Sequence, residues 1–311
     1  MRNYLLSIIA LLSCFTTTHC AAEANTSLEL NLSQFSGASD FQIGGLVQLA
    51  DGTSGYVHFP LSKLEFPSEM WLLGIGLKAQ YPDSQITARI STNVAESTTT
   101  MKDSDWGIPD INPSTTPDTL DVYSESKNEG ELQMLELRYA SIRQLTSVKS
   151  TRFFGVGILL QRYHFDVHDG LQVYPSTGAA PDPLPGNVLK YDLDIFVPYI
   201  FLRLESNASN NGLSWFGELA YSPRTTVEDK DQHLLRNRVS KGSYDGDAII
   251  YDLGVMLQTS NMYNLALSYR HIKITSDGKQ RVRDNGIYSH TIYAENNSDH
   301  GILSLTLNVP F

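Results

Sequence analysis

Leu189-Lys190-Tyr191-Asp192-Leu193-Asp194-Ile195-Phe196-Val197-Pro198-Tyr199-Ile200-Phe201 keeps a large apolar residue at every odd position, with Lys190, Asp192 and Asp194 between the first four. In extended chain, residues two apart share a face. The stretch therefore predicts a strand with one apolar face. The same period returns in Leu303, Leu305, Leu307, Val309 and Phe311, separated by Ser304, Thr306 and Asn308. It returns again in Tyr251 to Leu257, in Leu135-Leu137-Tyr139 with Glu136 and Arg138 between, and in Leu265-Leu267-Tyr269. No stretch of similar length keeps the 3.6-residue period of a helix.

The connections alternate in length. Short breaks fall at Tyr81–Ser84, Thr146–Ser150, Ser206–Asn211 and Thr259–Met262; longer polar stretches are Thr100–Gly130, His168–Gly186, Lys230–Gly242 and Ser276–Tyr288. Short turns on one rim and long loops on the other are the signature of an outer-membrane barrel. Ten strands are predicted, at roughly 39–50, 55–80, 84–100, 130–148, 151–168, 187–206, 211–230, 243–259, 262–276 and 298–311. The expected fold is all-β: a ten-stranded antiparallel transmembrane β-barrel with long extracellular loops. An even number closes the sheet and leaves no edge for hydrocarbon to meet. Several strands exceed the ~9–11 residues a bilayer needs and should project above it. The charged faces, with Glu136, Arg138, Lys190, Asp192, Asp194 and Arg270, are expected to point into a lumen crossed by ion pairs.

Composition narrows the partners. The 311 residues carry 23 Lys+Arg against 34 Asp+Glu, a net charge of −11. No cationic face is left to displace phosphate counterions, so nucleic acid is not an expected partner. Cationic peptides and proteins are favoured instead. Residues 1–24 read as a secretory signal: Arg2, an apolar core from Tyr4 to Phe15, and the small-residue site Ala22-Glu23-Ala24. Leu11-Leu12-Ser13-Cys14 offers the competing pattern of a lipoprotein box. Residues 25–311 form the barrel and contain no cysteine, since both Cys14 and Cys20 precede it. A disulfide framework and a thiol nucleophile are excluded there. No G-x-S-x-G, H-E-x-x-H or Gly-rich phosphate loop occurs.

Two motifs carry candidate chemistry, each where a strand runs into a long polar stretch. In Met101-Lys102-Asp103-Ser104-Asp105-Trp106, Asp103 and Asp105 share a face if the strand continues. In Asp229-Lys230-Asp231-Gln232-His233, Asp229, Asp231 and His233 do the same. The set permits hydrolysis by an activated water. His233 would be the general base and Asp231 would orient it. Asp103 and Asp105 would hold the water and share a proton, since like charges held close raise one pKa. Asp-x-Asp also serves as a turn or weak cation device, and Asp-x-His at a strand end is commonly solvated surface. His58, His164, His168, His271, His290 and His300 lack such neighbours and are read as aqueous-rim or interfacial residues, with no metal implied.

At these residues the chain resembles the omptin family of outer-membrane aspartyl-type proteases. Asp103 and Asp105, followed by Trp106, match the family's first acid couple, and Asp231 and His233 match its second. Asn112-Pro113, Pro117-Asp118-Thr119, Ser62-Lys63-Leu64-Glu65-Phe66 and Pro198-Tyr199-Ile200 resemble its flanking text, with Phe66 where the family has Trp. The resemblance covers nearly the whole of 25–311. It implies a monomeric endopeptidase in the bacterial outer membrane, its site facing the exterior, cutting beside basic and preferably dibasic residues without metal or organic cofactor. It implies that Asp229 lines the pocket for the basic side chain. It also implies that lipopolysaccharide supports activity. Of that lipid's binding set only Arg162 is matched; Ile158, Leu160 and Asp194 stand at the other positions. The alternatives from other classes are a non-catalytic barrel acting as adhesin or receptor, and a diffusion pore.

Overall fold

The structure is a computed structural model that describes residues 24–95, 97–145, 150–208, 212–260 and 263–311. The signal segment, with Cys14 and Cys20, lies outside the described residues, as do parts of three of the four short breaks. Among the described residues there are eleven strands: β1 (Asn25–Leu49), β2 (Ser54–Gln80), β3 (Ser84–Asn93), β4 (Ser97–Trp106), β5 (Leu120–Leu145), β6 (Ser150–Tyr174), β7 (Ala179–Ser206), β8 (Leu213–His233), β9 (Arg238–Ser260), β10 (Tyr263–Asp284) and β11 (Ile287–Pro310). β3 and β4 both lie between β2 and β5, so they are two halves of one stave interrupted after Asn93. The ring therefore has ten antiparallel staves. It closes where β1 pairs with β11, from Ser27 opposite Pro310 to Leu49 opposite His290. Thr26 and Phe311 exchange hydrogen bonds at that base.

The strands are longer than the sequence reading gave them. β1 begins at Asn25, because Leu28, Leu30 and Leu32 pair with Val309, Leu307 and Leu305. The polar stretches read as loops are largely strand, and Gly107–Thr119 is the one long excursion among the described residues. A polar residue facing water on one side and a packed interior on the other pairs as well as an apolar one. Polarity alone therefore does not end a strand.

The barrel has two halves of opposite construction. In the base half the outer wall is apolar. Leu73, Leu202, Leu219, Leu253, Leu267 and Leu305 are half exposed, and on β9 the outward apolar row runs from Ile249 to Leu257. That length is about what a strand needs to cross hydrocarbon. Trp71, Tyr221, Tyr251 and Tyr269 edge the belt on the mouth side, the position aromatic girdles take. The lumen of this half is charged. Arg270 bridges Glu136 at 3.0 Å and Asp252 at 3.2 Å, and Tyr199 donates to Glu136 at 2.6 Å. Arg138 pairs with Glu218 and lies 4.1 Å above the Phe201 ring.

In the mouth half the faces exchange character. Leu189, Tyr191, Leu193, Ile195 and Val197 are buried inside. The outward Lys190 pairs with Asp166 at 2.8 Å, and Asp192 with His164 at 2.6 Å. Thus Glu136, Arg138 and Arg270 point inward as expected, whereas Lys190, Asp192 and Asp194 point outward. Above the belt there is no lipid to satisfy an apolar face, so that face turns in and packs. Phe66 of β2 stacks on Tyr191 of β7 with ring centroids 4.6 Å apart, and on Phe165 at 4.9 Å. Opposite walls therefore touch, and the lumen is closed by side chains. His300, expected at a rim, is fully buried between Phe35 and Tyr163 in this core.

Candidate active site

The packed walls bring the two acidic motifs together. Asp103 and Asp105 sit at the end of β4, opposite Leu64 and Ser62 of β2, and Ser62 hydrogen-bonds the Asp105 carboxylate. Asp231 and His233 end β8. Their inward aim depends on one irregularity. From Ser214 to Ser222 the even residues of β8 face the lumen, but from Thr225 onward the odd ones do. Pairing with β9 slips by one residue between Ser222 and Thr225, around Pro223 and Arg224, and the same extra residue of β8 shows against β7 between Phe196 and Ile200. Proline cannot donate to a ladder, so bulges gather there. A β-bulge inserts one residue and reverses the faces beyond it.

The His233 Nε2 lies 2.9 Å from Asp231 Oδ2, which leaves Nδ1 as the other proton site. His233, Asp103, Leu235 and Arg236 line one cavity of about 70 Å³. One oxygen of Asp103 and one of Asp231 are buried without a partner. Burial, reinforced by the adjacent Asp105, pushes the Asp103 carboxyl up to about 8. Burial also raises Asp105 against the hydrogen bond from Ser62. For His233, burial disfavours the charged ring, but the Asp231 carboxylate outweighs it and the pKa lies above the ordinary value. Acids tending to stay neutral beside a basic imidazole suit proton transfer at near-neutral pH.

Asp229 lies two residues deeper on the same face of β8. It accepts hydrogen bonds from Tyr191 Oη at 3.0 Å, Tyr244 Oη at 2.9 Å and the Gly242 N–H at 2.6 Å. Asn296 donates in turn to Tyr191 Oη at 2.8 Å. Burial first, then the nearby Asp231, push Asp229 up to about 7 despite those three donors.

No protein-family model matches the chain, and no curated protein sequence does. Among solved structures, the outer-membrane protease OmpT from Escherichia coli superposes with a TM-score of 0.75 at 16% identity, covering 95% of this chain and 100% of that one. The fold is that of OmpT. The Neisserial surface protein NspA (TM-score 0.34, 9% identity, 93% and 99% covered) and OprG of Pseudomonas aeruginosa (0.37, 10%, 94% and 98%) align less well.

On this OmpT-like frame, Arg162 stands on the outer wall of β6, following the outward Phe154 and Val156 of the belt. Its Nε lies 2.7 Å from Asp194. Among the described residues, no group of three or more His, Cys, Asp or Glu side chains is arranged to hold a metal. Sequence reasoning missed Tyr191, Tyr244, Asn296 and Arg236. The period-two signal marks Tyr191 and Tyr244 only as apolar positions, and Arg236 lies in the connecting turn, where no spacing rule applies.

Proposed function

We propose that this chain is an omptin-type endopeptidase of the bacterial outer membrane, its site facing the exterior, cutting peptides and proteins beside basic residues. The observation that carries the reading is the cavity shared by Asp103 and His233, at the end of the barrel away from the lipid belt. His233 Nδ1 takes a proton from a water held between the two couples, and Asp231 stabilises the imidazolium. The water oxygen bonds to the scissile carbonyl carbon while the carbonyl π pair moves to its oxygen. Protonated Asp103, with Asp105, shares its proton with that oxyanion; the oxygen then re-forms the carbonyl and leaves the proton on Asp103, while the C–N bond breaks and the imidazolium protonates the leaving amine. Asp229, anchored by two tyrosines, receives the basic side chain through charge-assisted hydrogen bonds. The net charge of −11 attracts such substrates in a salt-sensitive way. Arg162 is the proposed contact for lipopolysaccharide, in competition with Asp194. The packed mouth half argues against a diffusion pore.

The test is cleavage of a fluorogenic peptide containing Arg by refolded protein, with and without lipopolysaccharide. His233→Ala should lower kcat by about 10²–10⁴-fold while the barrel stays folded. Equal rates for the variant and the parent would end the assignment.

A further inference from the structure

The cavity beside Asp103 has a composition of its own. It is built from β4 to β7 and the turn after β8, whereas the donors to Asp229 come from β7 and β9. The two sets share only β7, and along β8 and its turn the Asp231–His233 couple lies between Asp229 and Arg236. A peptide lying across the couple puts the side chains before and after its scissile bond into different recesses. The walls of the cavity are apolar at Met101, Leu184, Val188, Leu189 and Leu235, with Ser124, Ser126 and Gln172 between them, and Arg236 is its cation beside Asp103.

Arg236 is held there by its local structure. Leu234–Arg236 form a single 3-10 turn directly after His233, and Asn237 ends it in the left-handed region at φ 50°. Asparagine tolerates that conformation better than most residues. The Asn237 side chain donates to Asn285 at 2.9 Å, and the Asn285 N–H returns a bond to Asn237 at 3.0 Å. Next along, Arg238 pairs with Asp284 at 2.6 Å. The turn is therefore pinned to the β10–β11 hairpin. Arg236 makes no ion pair or hydrogen bond among the described residues, and its charge is felt by Asp103, Asp105 and His233. It is a cation without an ion-pair partner at a recess whose apolar wall is aliphatic and whose polar lining is Ser124, Ser126, Gln172, Asp103 and His233.

We infer that Arg236 sets the specificity of this recess, which accepts an apolar or acidic side chain and rejects a second basic one. The favoured site is then a single basic residue joined to an aliphatic or acidic residue. This departs from the dibasic preference that the resemblance implies. It rests on the proposed endopeptidase reading. A basic side chain here would meet a guanidinium directly, and discrimination by an opposing charge is a general route to specificity.

The experiment uses refolded full-length protein with lipopolysaccharide and three peptides differing only after the arginine: Arg–Val, Arg–Glu and Arg–Lys. Arg–Val should exceed Arg–Lys by about tenfold in kcat/KM, the effect of one close charge contact near a protein surface. Arg236→Glu should invert that ratio, and Arg236→Lys should keep it. A loss of folding alone would slow all three peptides together and leave the ratio as it was. Faster cleavage of Arg–Lys by the parent, or an unchanged ratio in Arg236→Glu, overturns the inference while the protease reading stands. No cleavage of any peptide by the parent overturns both.

Discussion

The base half and the mouth half of the barrel are made by the same strands and solve opposite problems. On β7 the inward row runs Leu189, Tyr191, Leu193, Ile195, Val197, Tyr199, Phe201 and then Arg203, while the outward row begins with Lys190, Asp192 and Asp194 and ends with Ile200, Leu202 and Leu204. Each face changes character partway along, at the height where solvent outside gives way to lipid. The contrast shows that what a β-barrel residue faces depends on depth as well as parity. The base half carries arginines and acids paired with one another, and the mouth half gathers the acids of the two couples around one cavity.

That contrast can be broken by substitution. The largest effect is expected for Arg270→Ala. It leaves Glu136 and Asp252 buried with a lost partner, and removing one member of a buried pair costs about 3–5 kcal/mol. Lys190→Ala removes an exposed pair of similar distance and should cost about 0–1 kcal/mol. Denaturant unfolding in lipid vesicles reads both, and equal costs would remove the distinction between the halves. Next is the outer wall: Leu253→Arg should cost about 2–4 kcal/mol on the lipid face. Lys279→Leu, exposed above the belt, should stay within about 0.5 kcal/mol. The same unfolding assay decides it.

The smallest effect concerns the acids. Cleavage should fall as pH drops through the His233 pKa, which lies above the ordinary value, because the base is then protonated. It should fall again above about 8, as Asp103 loses its proton. Asp105 raises Asp103, so Asp105→Asn should move the alkaline limb downward, by about one pH unit. A kcat/KM profile with an unmoved limb would show that the two carboxyls do not share a proton.

Much of this was legible in the residues. Period two predicts the strands, and alternating polar stretches predict the ten staves and the end that bears the two acid couples. The inward turn of Leu189 to Val197 was not legible, because an apolar row reads the same against lipid as against Phe66 and Phe165. The pocket donors were hidden for a related reason. Tyr191 and Tyr244 count as apolar in any periodicity, yet their hydroxyls are what Asp229 meets. The interruption after Asn93 leaves no trace in Ser-Thr-Thr-Thr, which continues as strand.

The slip around Pro223 and Arg224 makes the register of β8 an inherited constraint. Loss of a single codon there would keep every residue of the Asp229–His233 motif and still rotate it to the outside of the cylinder. The proposed activity is thereby exposed to insertions and deletions far from the reacting atoms, and point changes within the motif are only part of its vulnerability.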